Sequence, residues 1–143
     1  MEKEKWIYKG KMEDMKGDEL RERIQKAMDF EIPNKIAPMP YLGGLKETAK
    51  YSTKELVAKC PVTGIMDLYT IEIEMIPDKL IPELKSLKFY YMAYQDLPIG
   101  HEHLLAKIFK EFKKVISPLK LKITLYVAIR GGIETIVTHE EEK

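Results

Sequence analysis

A second cysteine is missing, and with Cys60 alone no disulfide can close within the chain. Also missing is any apolar run near the roughly 20 residues that span a bilayer, and the opening Met-Glu-Lys-Glu-Lys lacks the apolar core of a signal peptide. Neither sign of charge dominates. The 24 basic residues face 23 acidic ones, so the broad electrostatic pull of a basic chain toward nucleic acid is absent. There is no Gly-x-Gly-x-x-Gly fingerprint and no regular alternation of strand and helix, so a dinucleotide would not sit in a Rossmann crevice. The expectation is a soluble, cytoplasmic protein with no membrane partner.

What is present suffices for one packed core: 143 residues, of which 45% are apolar. Charged residues reach 33%, above the usual value of about 25%, and such Lys/Glu enrichment fits a heat-adapted protein. Residues 1–44 read as an N-terminal extension and 45–143 as the main body. In the extension, Trp6-Ile7-Tyr8 suits a short strand or docking patch. A helix follows from Asp18 to about Phe30, with Leu20, Ile24, Ala27 and Met28 on one face. Three prolines and Gly43-Gly44 then predict a loop from Ile32 onward.

In the main body a weak strand is expected around Leu45–Ser52 and a stronger one from Asp67 to Ile76, where Ile71, Ile73 and Met75 alternate with polar residues. Pro82 suits the first position of a helix over about Glu83–Ala93, and a second helix covers His101–Ile116. A hairpin closes the chain. Leu121 to Ile129 alternates, Arg130-Gly131-Gly132 turns, and Ile133–Thr138 returns before an acidic end. The order strand, strand, helix, helix, strand, strand indicates α+β, with two helices on one face of an antiparallel four-stranded sheet.

The chemistry concentrates around Cys60-Pro61-Val62-Thr63-Gly64, with Asp67 just beyond. A thiol and an acid flanking a tight turn can act on one small substrate, the thiolate as nucleophile and the acid as proton donor. The plainer reading is a buried cysteine and an aspartate that starts a strand. Likewise Glu83–Tyr90 can be an ordinary amphipathic helix with a solvated basic face, and His101-Glu102 a charged first turn. A zinc site from Cys60, His101 and His103 is disfavoured, because histidines two apart do not share a helix face and only one thiol is available. No metal is expected.

Four segments, in order, make the chain similar to the 7-cyano-7-deazaguanine reductases, nitrile reductases of queuosine biosynthesis with the tunnelling fold. They are Cys60-Pro61-Val62-Thr63-Gly64 with Asp67, Glu83 to Tyr90, His101-Glu102, and Arg130-Gly131-Gly132-Ile133. The resemblance covers about Leu45–Ile133 and makes residues 45–143 the catalytic domain. It implies that Cys60 attacks the nitrile carbon to form a thioimide, that Asp67 is the general acid, and that His101 assists proton transfer. Glu102 is implied to hold the deazapurine base, and Glu83, Lys85, Ser86 and Lys88 to contact NADPH. A homo-oligomer, pentamer or decamer, is implied as well.

The chain departs from the family pattern in three places. Ile65-Met66 stand where Gln-Pro is common before the aspartate, and Ala93-Tyr94-Gln95-Asp96 where Ser-Phe-Arg-Asn is common. Leu104 occupies the position of a second cysteine that many relatives have, so Cys60 has no internal disulfide partner. The rival within the resemblance is a reductase-like archaeosine synthase, which adds ammonia to the nitrile on tRNA. A non-catalytic binding protein on the same fold is the rival outside it.

Overall fold

A computed structural model describes residues 17–143. The reading of Trp6–Tyr8 lies outside the described residues. The elements, in chain order, are helix α1 (Gly17–Asp29), strands β1 (Pro38–Pro40), β2 (Ala49–Lys59), β3 (Met66–Ile76) and β4 (Leu80–Pro82), helices α2 (Leu84–Met92) and α3 (His101–Ile116), and strands β5 (Lys120–Arg130) and β6 (Ile133–Glu142). Four strands form an antiparallel sheet in the order β2-β3-β5-β6. The expected α+β arrangement is therefore present.

One face of this sheet is apolar by alternation. Tyr69, Ile71, Ile73 and Met75 of β3 and Leu121, Ile123, Leu125 and Val127 of β5 are buried against Leu104, Ile108, Phe112 and Ile116 of α3. Burying each such side chain stabilises by roughly 1.5–3 kcal/mol. α2 packs on the same core through Leu87, Tyr90 and Tyr91. The hydroxyls of Tyr90 and Tyr94 both donate to Glu111 of α3, the second at 3.0 Å, which fixes α2 against α3. The Tyr94 hydroxyl, buried with its ring, thus has a partner.

Several boundaries differ from expectation, each for a physical reason. β2 is not a weak strand ending near Ser52. It runs to Lys59, and a bulge between Thr53 and Leu56 shifts its inward set from Tyr51 and Thr53 to Leu56 and Ala58. The alternation breaks there, which hid the strand. Pro82 does not open a helix. It ends β4, which pairs with β1 inside the proline-rich segment expected to be all loop, and Glu83 is the N-cap of α2. The acidic end belongs to β6, where Glu140 lies opposite Lys122 and Glu142 opposite Lys120. Ala27, Ile32 and Ile36 join the same core as the sheet, so the first helix packs on the main body.

Candidate active site

Three strand and helix ends meet at one end of the sheet. β2 delivers Cys60, and a turn closed by Cys60 N–H to Ile65 O (2.8 Å) and Gly64 N–H to Cys60 O (2.9 Å) returns the chain into β3. Gly64 sits at φ 74°, a left-handed position that glycine takes without strain. The Thr63 N–H points at the Cys60 sulfur, 3.5 Å away. Residues 97–99 lie alongside the end of β2. Lys59 donates to Leu97 O and Ile99 donates to Lys59 O, each at 3.0 Å, and Lys59 Nζ pairs with Asp96 at 3.3 Å. This short parallel ladder brings the start of α3 to the cysteine turn.

Asp67, next on the strand, is only 5% exposed. Its carboxylate faces Arg130 of the β5–β6 hairpin, Nε to Oδ1 3.5 Å, and the same guanidinium bonds the Met66 carbonyl. Gly131 and Gly132, at φ 62° and 78°, make the tight turn that follows Arg130. The turn motif thus also carries the counter-charge of the buried acid.

Two residues beyond Asp67 on the same face, the Tyr69 hydroxyl lies 2.7 Å from His101 Nδ1, with the rings edge to face at 5.5 Å. Burial pushes the Tyr69 phenol up, and the negative charges of Asp67, Cys60 and Glu102 add to this against Arg130. The phenol therefore stays neutral at ordinary pH. In the tautomer that accepts at Nδ1, the phenol donates and the imidazole proton sits on Nε2. Lys59 pairs with Met66 and Ala58 with Asp67, so Cys60 leaves β2 beside the strand end that carries Asp67 and Tyr69. Glu102 itself is exposed, beside a groove of about 320 Å³ between α3 and β6. Tyr69 was missed in the sequence. Its period-2 spacing from Asp67 was the available signal.

The expected cofactor segment is divided. Glu83 caps α2 with both carboxylate oxygens, accepting from the Lys85 and Ser86 N–H groups at 2.8 Å each. The Ser86 hydroxyl donates to Glu83 O at 2.7 Å and accepts from Ala37 N–H at 2.8 Å. Both side chains are occupied with holding the helix start and the preceding loop. Lys85 and Lys88 are exposed, and neither forms an ion pair among the described residues. Lys88 borders a groove of about 340 Å³ with Lys50, Tyr51, Ser52, Glu55, Leu84 and Tyr91. Lys50 is paired with Glu72 and Glu74, which leaves the Lys88 ammonium, beside Tyr51 and Tyr91, as the group there that suits a phosphate.

Among the described residues no three His, Cys, Asp or Glu side chains are grouped as metal ligands, and no helix is long and apolar enough to cross a membrane.

A crystal structure of the archaeosine synthase QueF-Like in its apo form superposes with a TM-score of 0.61 at 22% identity, over 65% of this chain and 91% of that one. That likeness carries the tunnelling fold. A reductase from Chloroherpeton thalassium, named NADPH-dependent 7-cyano-7-deazaguanine reductase, is 40% identical over 98 residues, covering 67% of this chain and 84% of its own. The enzyme of the same name from Thermotoga petrophila is 33% identical over 128 residues, 88% of this chain and 85% of its own. That from Thermoanaerobacter pseudethanolicus is 29% identical over 137 residues, 95% and 96% of the two chains. The family model described as QueF-like protein matches residues 67–143, which begin at the buried acid and take in both helix starts and the Arg130 hairpin. With that family model matching more than half of the chain and a relative 33% identical over 88% of it, the chain belongs to the QueF family.

Proposed function

We propose that this chain reduces the nitrile of 7-cyano-7-deazaguanine to the aminomethyl group, with NADPH as reductant, in queuosine tRNA modification. The observation that carries the reading is the convergence of Cys60, Asp67 and the Tyr69–His101 pair at the ends of β2 and β3 and the start of α3. Cys60 Sγ adds to the nitrile carbon, forming a C–S bond, while the Asp67 carboxylate takes the thiol proton and delivers it as general acid to the nitrile nitrogen; the product is a thioimide. His101, oriented through Nδ1 by Tyr69, moves a proton by way of Nε2. Glu102, exposed and acceptor-only when ionised, takes N–H groups of the base. Lys85 and Lys88 hold the phosphates of NADPH, and Glu83 and Ser86 fix the helix start that carries them. When bound, NADPH supplies hydride, two equivalents per nitrile. Cys60 departs as thiolate between the two reductions, so the enzyme ends as it began.

In this reading residues 45–143 form the catalytic domain and 1–44 an extension, of which Ala27, Ile32 and Ile36 pack on the same core. The active form is a homo-oligomer, pentamer or decamer, with the site at a subunit boundary. Two features support that. Edge strands β2 and β6 have no partner on one side among the described residues. The sheet face away from the helices exposes Leu68, Tyr126 and Ile136, and Ile129 and Ile133 are bare at the hairpin tip.

The rival is an amidine-forming enzyme on the same fold, which its structural neighbour keeps in view. The exposed Lys85 and Lys88, the latter beside a groove, favour reduction. Mixing protein, nitrile and NADPH decides. The expected result is two NADPH oxidised per amine released. Flat NADPH absorbance, with ammonium incorporated into nitrile-bearing tRNA instead, would establish the rival.

A further inference from the structure

α1 is anchored at one end and touches the cysteine turn from its middle. Lys107 of α3, only 6% exposed, donates to the carbonyl oxygens of Met28 and Phe30 at 2.7 Å each. These acceptors lie at and just beyond the C-terminus of α1, where carbonyls otherwise lack partners. The bonds lock α1 to the same helix that opens with His101 and Glu102. From this fixed helix, Arg23 Nη1 donates to the Pro61 carbonyl at 2.7 Å.

Pro61 directly follows Cys60, and among the described residues the turn's internal bonds leave its carbonyl unused. Fixing that carbonyl fixes the 61–62 peptide plane. The next peptide carries the Thr63 N–H that points at the sulfur. An N–H held there stabilises the negative charge that sulfur carries when it attacks.

We infer that Arg23 is a positioning residue: from a helix outside the motif-bearing region, it clamps the Cys60–Gly64 turn in the geometry that activates the thiol. Nothing in the four family segments includes it. The inference rests on the reading of Cys60 as nucleophile, but its test does not need the nitrile. Arg23 is exposed, so its replacement leaves the core intact.

Arg23→Gln and Arg23→Lys are compared with the unmutated protein for Cys60 alkylation by iodoacetamide, nitrile-adduct formation, nitrile affinity and melting temperature. Arg23→Gln is expected to slow alkylation and adduct formation by the same factor, about tenfold for one charge-assisted hydrogen bond. Nitrile affinity and melting temperature stay unchanged, and Arg23→Lys restores most of the rate. Alkylation of Arg23→Gln at the unmutated rate overturns the inference. So does a loss that Arg23→Lys shares in full, or a fall in melting temperature that accounts for the lost reactivity. Should the unmutated protein alkylate but form no nitrile adduct, the proposed function fails, and the alkylation arm still decides the role of Arg23.

Discussion

At the start of α2 the polar groups are spent on the helix itself. Glu83 takes two backbone N–H groups, and the Ser86 hydroxyl bridges Glu83 O to Ala37 N–H. At the start of α3 the N-cap is Gly100, which offers no side chain, and the first residues are His101 and Glu102. His101 turns to Tyr69, and Glu102 stands exposed beside a groove. Both starts belong to motifs of one family, yet one is closed and the other open. A closed start sets where a helix lies. An open one, placed beside a thiol and a buried acid, has groups left over for chemistry.

This contrast separates what substitutions should do, and the largest effects fall at the open end. Cys60→Ala should remove both turnover and the covalent adduct, read by intact mass after incubation with the nitrile; an adduct that survives would detach the thiol from the mechanism. Asp67→Asn should keep base binding while slowing adduct formation by about 10²–10⁴-fold, the range of a lost general acid. Single-turnover kinetics would show it, and a loss of affinity with unchanged rate would instead make Asp67 a binding group. Tyr69→Phe removes the partner of His101 Nδ1 and should cost about tenfold in rate. Its melting temperature should barely move, since the ring stays in the core.

The closed end should answer in stability. Glu83→Ala is expected to cost about 1 kcal/mol in urea unfolding, the usual worth of a cap, with Cys60 alkylation unchanged. Slower alkylation would mean the two helix starts are not separate. Closing the open end is the smallest and sharpest change. A Cβ at Gly100 would meet nothing nearer than His103 Nδ1 at 3.6 Å, so Gly100→Asp fits. It should stabilise by only a few tenths of a kcal/mol and yet weaken nitrile binding, because a carboxylate would now occupy N–H groups beside the site.

The core and the motif spacing were legible in the chain. Ile71, Ile73 and Met75 alternate without interruption, and α3 runs over the residues its apolar stripe marked, His101–Ile116. What stayed hidden depends on contacts across the sequence. The bulge after Thr53 broke the pattern of β2, and the pairing of β1 with β4 joins two short segments that carry no periodicity. In the candidate site, Cys60, Asp67, His101 and Glu102 could be named from their motifs. Arg130 opposite Asp67 and Arg23 on Pro61 lie 63 and 38 residues from their partners. No local spacing announces such pairs.

The claim that the open end of α3 and the cysteine turn form one nitrile-activating site is tested most directly by incubating the protein with 7-cyano-7-deazaguanine in the absence of NADPH, followed by intact mass and peptide mapping. The account predicts a mass gain equal to one nitrile, located on the peptide that holds Cys60, and its discharge as amine when NADPH is added. A protein that keeps its unmodified mass while binding the nitrile would contradict it.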